Sequence, residues 1–386
     1  MPRKSVLRLA GLVVGAALVV TGCGGNSGDS ANSASTPSAT SAQAAPGKTD
    51  DAAAPAPGTQ PRIAILATGG TIAGKANANS AVGYTAGEAT AKDLIDAVPG
   101  IDKIAKLSAE QISNIGSQDM NDDVWVKLAD RINQLFARNE VDGVVVTHGT
   151  DTIEETAFFL DHVVASDKPV VLVGSMRPST ALSADGPANL RSAVQVAASP
   201  AAAGRGTMVV LNDTIHGASD VTKTNTTSVQ TFVSPNSGPI GHVDAAAVTF
   251  TAPLPKQPRL TFPVPGSTPL PRVDIIYSHA GMNADQVNDA LGHGAKGLVL
   301  AGVGDGNTSK AVVDALSKAA KSGVVVVRSS RVGSGSVVRN AELNDDDLGT
   351  VSAMYLNPAK SRVLVQLLLA NGITDPAKVQ QDFADC

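Results

Sequence analysis

The chain has 386 residues, a formal net charge of −5 and aromatic side chains at only 3%. An acidic, aromatic-poor chain has neither the basic field nor the stacking side chains with which proteins hold nucleic acid, so that class is set aside. Its length leaves room for two domains with proper cores behind a leader segment.

Residues 1–22 read as a targeting segment. Arg3, Lys4 and Arg8 form a positive start, and Leu9 to Val20 form an apolar stretch too short for a comfortable membrane span. Val20-Thr21-Gly22-Cys23 resembles a lipobox, the signal for attaching diacylglycerol to a cysteine thiol; an ordinary signal peptide followed by an incidental cysteine is the alternative. The chain has two cysteines, and the second is Cys386. With Cys23 lipidated, Cys386 has no disulfide partner, so no disulfide framework is expected. Residues 23–60, the lipidated cysteine and a run of Ser, Ala, Gly, Thr, Asn and Pro, cannot bury enough apolar surface to offset chain entropy. They read as a flexible tether holding an exported body off a membrane.

From Pro61 onward, short apolar runs alternate with helical patterns. Ile63–Ala67, Val144–Thr147, Val170–Val173 and Thr207–Leu211 read as buried strands. Ile153, Ala157, Leu160 and Val164 recur at helical spacing, and Asp151 with Glu154 reads as a capping box at that helix's start. Pro253–Pro271 carries seven prolines and interrupts the rhythm, which resumes at Val273–Tyr277, Gly297–Leu300 and Val324–Val327. Repeated strand-then-helix order predicts an α/β fold with mostly parallel sheets covered on both faces. The predicted organisation is a larger, doubly wound N-terminal α/β domain over 61–255, a linker over 256–271, and a smaller C-terminal α/β domain over 272–386.

Two turns follow strands directly, where ligands bind in open parallel sheets. The first is Ala67-Thr68-Gly69-Gly70-Thr71-Ile72-Ala73-Gly74; its glycines allow close backbone approach and Thr71 offers a hydroxyl, although a plain tight turn reads the same way. Gly69, Gly74 and Lys75 have P-loop spacing, but Ala76 stands where a magnesium-binding Ser or Thr is needed, so a nucleotide site is not expected. The second turn is Thr147-His148-Gly149-Thr150-Asp151-Thr152. Asp151 alone would be a cap, whereas Thr150 beside it has no structural task. His148 reads as structural, since six scattered histidines without HxH or HxxxH spacing give no metal site. In Asp220-Val221-Thr222-Lys223-Thr224, Lys223 is a solvated surface charge unless the fold sets it against Thr150; there a desolvated lysine can act as a base.

These segments, with Asn114–Asn121, Val173–Pro178, Ser183–Pro187 and Thr222–Thr227, together resemble the bacterial type II L-asparaginases over Pro61 to Phe383. The resemblance implies an amidohydrolase that converts L-asparagine to L-aspartate and ammonia, with no metal and no cofactor. Thr71 is similar to the family's nucleophile, which forms an acyl-enzyme. Tyr84 resembles a lid tyrosine touching that hydroxyl, in a glycine-flanked lid over Gly74–Glu88. Thr150, Lys223 and Asp151 resemble the second hydroxyl with its base and carboxylate. Ser117, Gln118 and Asp151 resemble the grip on the substrate's α-carboxylate and α-amino groups. Glu342 resembles an acid lent by a neighbouring subunit, in a homotetramer with shared sites.

Two departures stand out. The resemblance leads one to look for an asparagine after the first strand of the second domain, but Asn283 lies a place or two away and receives no role. Ser175 stands where some relatives have Ala, which bears on the balance between asparagine and L-glutamine. A glutaminase-leaning hydrolase therefore remains an alternative, one methylene being worth about 1–3 kcal/mol. A non-catalytic amino-acid-binding lipoprotein accounts equally well for anchor, tether and two domains, but not for Thr71, Thr150, Asp151 and Lys223 together.

Overall fold

A computed structural model describes residues 59–76, 84–85, 89–245, 247–255, 259–266 and 268–386. The expected leader, the lipidation site Cys23, the tether up to residue 58, and lid residues 77–83 and 86–88 lie outside the described residues.

The larger sheet has eight strands: β1 (Arg62–Gly69), β2 (Lys106–Ile115), β3 (Gly143–Thr147), β4 (Val170–Val173), β5 (Thr207–Leu211), β6 (Thr214–Gly217), β7 (Gly241–Val243) and β8 (Val248–Phe250). Their spatial order is β8-β7-β6-β5-β4-β3-β1-β2. From β2 through β5 the pairing is parallel, and from β5 to β8 it turns antiparallel. Parallel strands covered on both faces need apolar residues on both, which is why β1 and β3 read as unbroken apolar runs. Alternation divides them: Ala64 and Leu66 enter one core, Ile63 and Ile65 the other. Helices Asp122–Ala137 and Ile153–Val163 cover the first face, and Ala91–Asp96 and Gly186–Ala198 the second, so the sheet is doubly wound.

That arrangement creates a switch point. The chain leaves β1 over one face toward its neighbour β2, and leaves β3, on the other side of β1, over the opposite face. The connections diverge at the carboxyl ends of β1 and β3, which opens a crevice there.

The smaller sheet is all parallel, in the order β9 (Val273–Tyr277), β10 (Gly297–Gly302), β11 (Val325–Ser330), β12 (Val351–Ser352). One of its faces, with helices Asp285–Gly292 and Lys310–Lys321, has its own core. The other face lies under helices Pro358–Ala370 and Pro376–Ala384 and joins the first core of the larger sheet without a break. Helix Pro358–Ala370 packs directly on helix Ile153–Val163.

The proline-rich segment is fastened to the larger sheet's side. The Phe262 N–H donates to His162 O at 2.7 Å, the Leu270 N–H to Asp122 at 2.8 Å, and Arg259 pairs with Asp161 at 2.9 Å. Phe262 and Leu270 are buried.

Candidate active site

The β1 turn is built from backbone that only glycine tolerates. Gly69 and Gly70 have φ of 108° and 80°. A Cβ on Gly70 would lie 2.3 Å from the Gly149 nitrogen, so the turns after β1 and β3 touch backbone to backbone. Thr71 follows in a short 3-10 turn, 6% exposed.

The turn after β2 closes the same crevice. Ser117 Oγ accepts the Asp151 N–H at 3.1 Å, and Thr152 Oγ1 donates to Ser117 O at 2.7 Å. A Cβ on Gly149 would lie 2.6 Å from the Ser117 hydroxyl oxygen. Three strand ends therefore deliver Thr71, Ser117 and Thr150 to one place, each nearly buried.

Lys223 arrives from a different part of the chain. It sits in a two-residue strand, Thr222–Lys223, paired antiparallel with Phe232–Val233. Its Nζ donates to Thr150 Oγ1 at 2.9 Å and to Asp151 Oδ1 at 2.6 Å. The condition under which the sequence made this lysine interesting is met: its side chain is 18% exposed, while that of Asp151 is 56% exposed and faces the opening.

The expected capping box is not formed. Thr152, not Asp151, occupies the N-cap position, with no side-chain cap bond. The Asp151 carboxylate is held by Lys223, and Glu154 turns away to accept the Lys223 N–H at 2.8 Å and the Asn357 Nδ2 at 3.0 Å. A cation and a strand N–H offered stronger partners than the helix's own amides.

His148 is fully buried and both its nitrogens are engaged. Trp125 Nε1 can only donate, and does so to Thr156 Oγ1 at 2.8 Å; Thr156 Oγ1 meets His148 Nε2 at 2.9 Å. His148 Nδ1 meets Gly149 O at 2.7 Å, and a carbonyl only accepts, so Nδ1 carries the hydrogen and Nε2 receives one. Burial pushes this imidazole down to about 4, against the pull of the Gly149 carbonyl, so it is neutral. The ring orients the Gly149 peptide, in keeping with a structural histidine.

The remaining expected residues are more scattered. Gln118 is exposed, its amide 3.4 Å from Asp119. Tyr84 is placed by its backbone, which pairs with Ala76. The Ser175 hydroxyl donates to Arg177 O at 2.9 Å and is fully buried. Asn283 bonds Asp285, at the start of a helix. Glu342 is exposed in the C-terminal domain and accepts from Asn307 Nδ2 at 2.6 Å.

Asn307 was missed by the sequence reasoning. It follows β10, the second strand of its sheet, behind Gly304 and Gly306 with φ of 52° and 68°; that glycine-paired turn at a strand end was the available signal. Below it, Arg328 and Asp345 form a fully buried bidentate pair at 2.6 and 2.7 Å, anchoring the loop that carries Glu342. Burial alone would raise the Asp345 carboxyl, but bonds from Arg328, Asn340 and Thr350 outweigh it and hold it below its ordinary value.

Comparison with known proteins places the chain in a family. Residues 62–256 match the family model described as asparaginase, N-terminal, and residues 272–383 match the glutaminase/asparaginase C-terminal domain. The chain is 50% identical to the probable periplasmic L-asparaginase of Haemophilus influenzae over 84% of its length and 93% of that protein. It is 49% identical to L-asparaginase 2 of Escherichia coli, over 84% and 92% of the two chains. It is 41% identical to the glutaminase-asparaginase of Pseudomonas fluorescens, over 83% and 89%.

Proposed function

The chain belongs to the asparaginase family and is a hydrolase of L-asparagine, and from that premise we propose that its reaction runs through an acyl-enzyme on Thr71. The observation that carries this reading is the contact of Lys223 Nζ with both Thr150 and Asp151, in a crevice where the Thr71 turn meets the Thr150 turn.

Thr71 Oγ attacks the carboxamide carbon, its proton passes to the departing nitrogen, and ammonia leaves an aspartyl ester. Water then cleaves that ester, giving L-aspartate and restoring the hydroxyl. A neutral threonine is a weak nucleophile and needs a neighbouring group to take its proton. Thr150, backed by Lys223, serves this proton traffic, and Tyr84 is the lid tyrosine that the family resemblance assigns to the Thr71 hydroxyl. Backbone N–H groups in the glycine turns receive the developing oxyanion, each worth about 3–4 kcal/mol in comparable sites. Ser117, whose oxygen already accepts the Asp151 N–H, has its own proton to donate to the substrate α-carboxylate. The exposed Asp151 oxygen pairs with the α-ammonium, with Gln118 beside it.

Glu342 completes the site of a neighbouring subunit in a homotetramer. Its exposure and its support by Asn307 favour that role. Export, with the body held at a membrane through a lipid on Cys23, is the localisation we propose; the Haemophilus relative's name places that protein in the periplasm. Cys23→Ala should abolish labelling by a radioactive fatty acid, and persistent labelling would refute the anchor.

Ammonia release by the purified protein tests the reading. Asparagine should be the better substrate, with glutamine hydrolysis the second reading favoured by the glutaminase-asparaginase relative. Thr71→Ala should fold normally and lose turnover; retention of more than about a tenth of kcat, a barrier change below about 1.4 kcal/mol, would overturn the nucleophile.

A further inference from the structure

Lys360 is a lysine where a core residue is expected. It stands in the first turn of helix Pro358–Ala370 in the C-terminal domain, 1% exposed. Its Nζ reaches the other domain, donating to Ser219 O at 2.9 Å and to Val221 O at 2.5 Å. Those carbonyls lie on the stretch that runs into Lys223. Three residues before Lys360, the Asn357 side chain donates to one oxygen of Glu154, whose other oxygen accepts the Lys223 N–H. The strand bearing Lys223 is thus gripped at its own N–H by a carboxylate and, two residues upstream, at a carbonyl by an ammonium.

We propose that Lys360 is a positioning residue for Lys223, fixing the 219–223 backbone from the C-terminal domain so that the Lys223 amine stands between Thr150 and Asp151. The proposal rests on the reading that Lys223 serves the Thr150 hydroxyl. A lysine side chain has four rotatable bonds, so its amine holds two partners only if its backbone is fixed. Helix Ile153–Val163 supplies Glu154 and begins just after Thr150 and Asp151, so one carboxylate registers both halves of the contact. Burying an ammonium is costly unless its protons are bonded, and here two of the bonds go to the segment it holds.

Lys360→Met, made in the full chain, removes the ammonium with little change in volume. It should lower kcat by about a hundredfold, as displacement on the order of 1 Å does, with KM for asparagine changed less than about threefold. The double variant Lys360→Met/Lys223→Met should be no slower than Lys223→Met alone, because a residue acting through Lys223 has nothing left to act on. Glu154→Ala should show the same kcat loss, and Glu154→Gln, which keeps an acceptor for the Lys223 N–H, should be at least about tenfold faster than Glu154→Ala.

A folded Lys360→Met with kcat within about threefold of wild type, or a double variant slower than Lys223→Met by the full Lys360 factor, overturns the proposal. Should Lys360→Met fail to fold, equal rates for the two Glu154 variants overturn it. Wild-type kcat in Lys223→Met would instead remove the reading beneath it, an outcome distinct from an inactive Lys223→Met beside an active Lys360→Met.

Discussion

Gly70 lies so close to Gly149 that it cannot carry a side chain: a Cβ on Gly70 would stand 2.3 Å from the Gly149 nitrogen, while one on Gly149 would stand 3.1 Å from the Gly70 Cα and 2.6 Å from the Ser117 hydroxyl oxygen. Strands β1 and β3 are parallel neighbours in register, Ala67 opposite Thr147, so their turns must share the space just beyond the sheet. Glycine at both places lets the turns that carry Thr71 and Thr150 meet backbone to backbone.

Gly70→Ala should accordingly impair the site more than the fold. The strained φ and the collision together should cost roughly 1–3 kcal/mol of stability, read as a lower Tm, and activity should fall about a hundredfold as the turns part. Normal kcat with normal Tm would contradict the close contact.

Lys223→Met should keep the fold and bind aspartate while losing turnover. The variant removes the donor to Thr150 and leaves Asp151 available for the ligand's ammonium. Titration calorimetry with aspartate and an ammonia assay check the two halves. Loss of both would mean that Lys223 supports binding and not proton traffic.

Acid should destabilise the protein before its carboxylates titrate. Burial holds His148 and His216 at about 4 and lowers His162 as well, all from an ordinary value of 6.5. Between about 6.5 and 4 the unfolded chain binds protons that the folded one refuses, so this stability is complete above 6.5 and is lost as pH falls toward 4. His148 and His216 contribute on the order of 3 kcal/mol each. Urea midpoints measured at intervals from pH 7 to 4.5 should decline throughout, and a flat series would disprove the buried neutral imidazoles.

Shared sites can be tested by mixing. Thr71→Ala chains and Glu342→Ala chains, each nearly inactive, are dissociated and reassembled together. If Glu342 serves a neighbour across a two-fold interface, random pairing leaves about a quarter of sites intact. If it serves its own chain, every site carries a lesion and activity stays at the average of the two parents. Size-exclusion chromatography of the mixture verifies that the variants associate.

The sequence made the strands and the two threonine turns legible because each is a local signal. An unbroken apolar run such as Val144–Val146 admits few readings other than a buried strand. What a local reading could not supply has a different physics. Lys223 lies 73 residues from Thr150, and only the return of the chain after β6 sets them together. Asp151 and Glu154 have the spacing of a cap, but a distant lysine claims both. Asn307 and Lys360 act through tertiary contacts as well. Lys360 did leave a trace: with Val363, Leu364 and Leu367 it falls on the apolar stripe of its helix, where an ammonium needs a buried acceptor.

The continuous interior beneath the two sheets bears on how this chain comes apart. Phe158 and Phe159 from one sheet's covering helix, and Val363, Leu364 and Leu367 from the other's, belong to a single apolar cluster, with Phe262 and Leu270 of the proline-rich stretch inside it. Cutting near residue 260 would therefore strip a raw greasy face on each fragment. Neither half covers this shared face on its own, so calorimetry should record one endotherm for the body and not two. For the same reason a hinge swing between the halves cannot admit substrate without tearing this cluster, so entry to Thr71 falls to smaller pieces of chain. The break in rhythm at Pro253–Pro271 separates two sheets, yet it does not divide the interior beneath them.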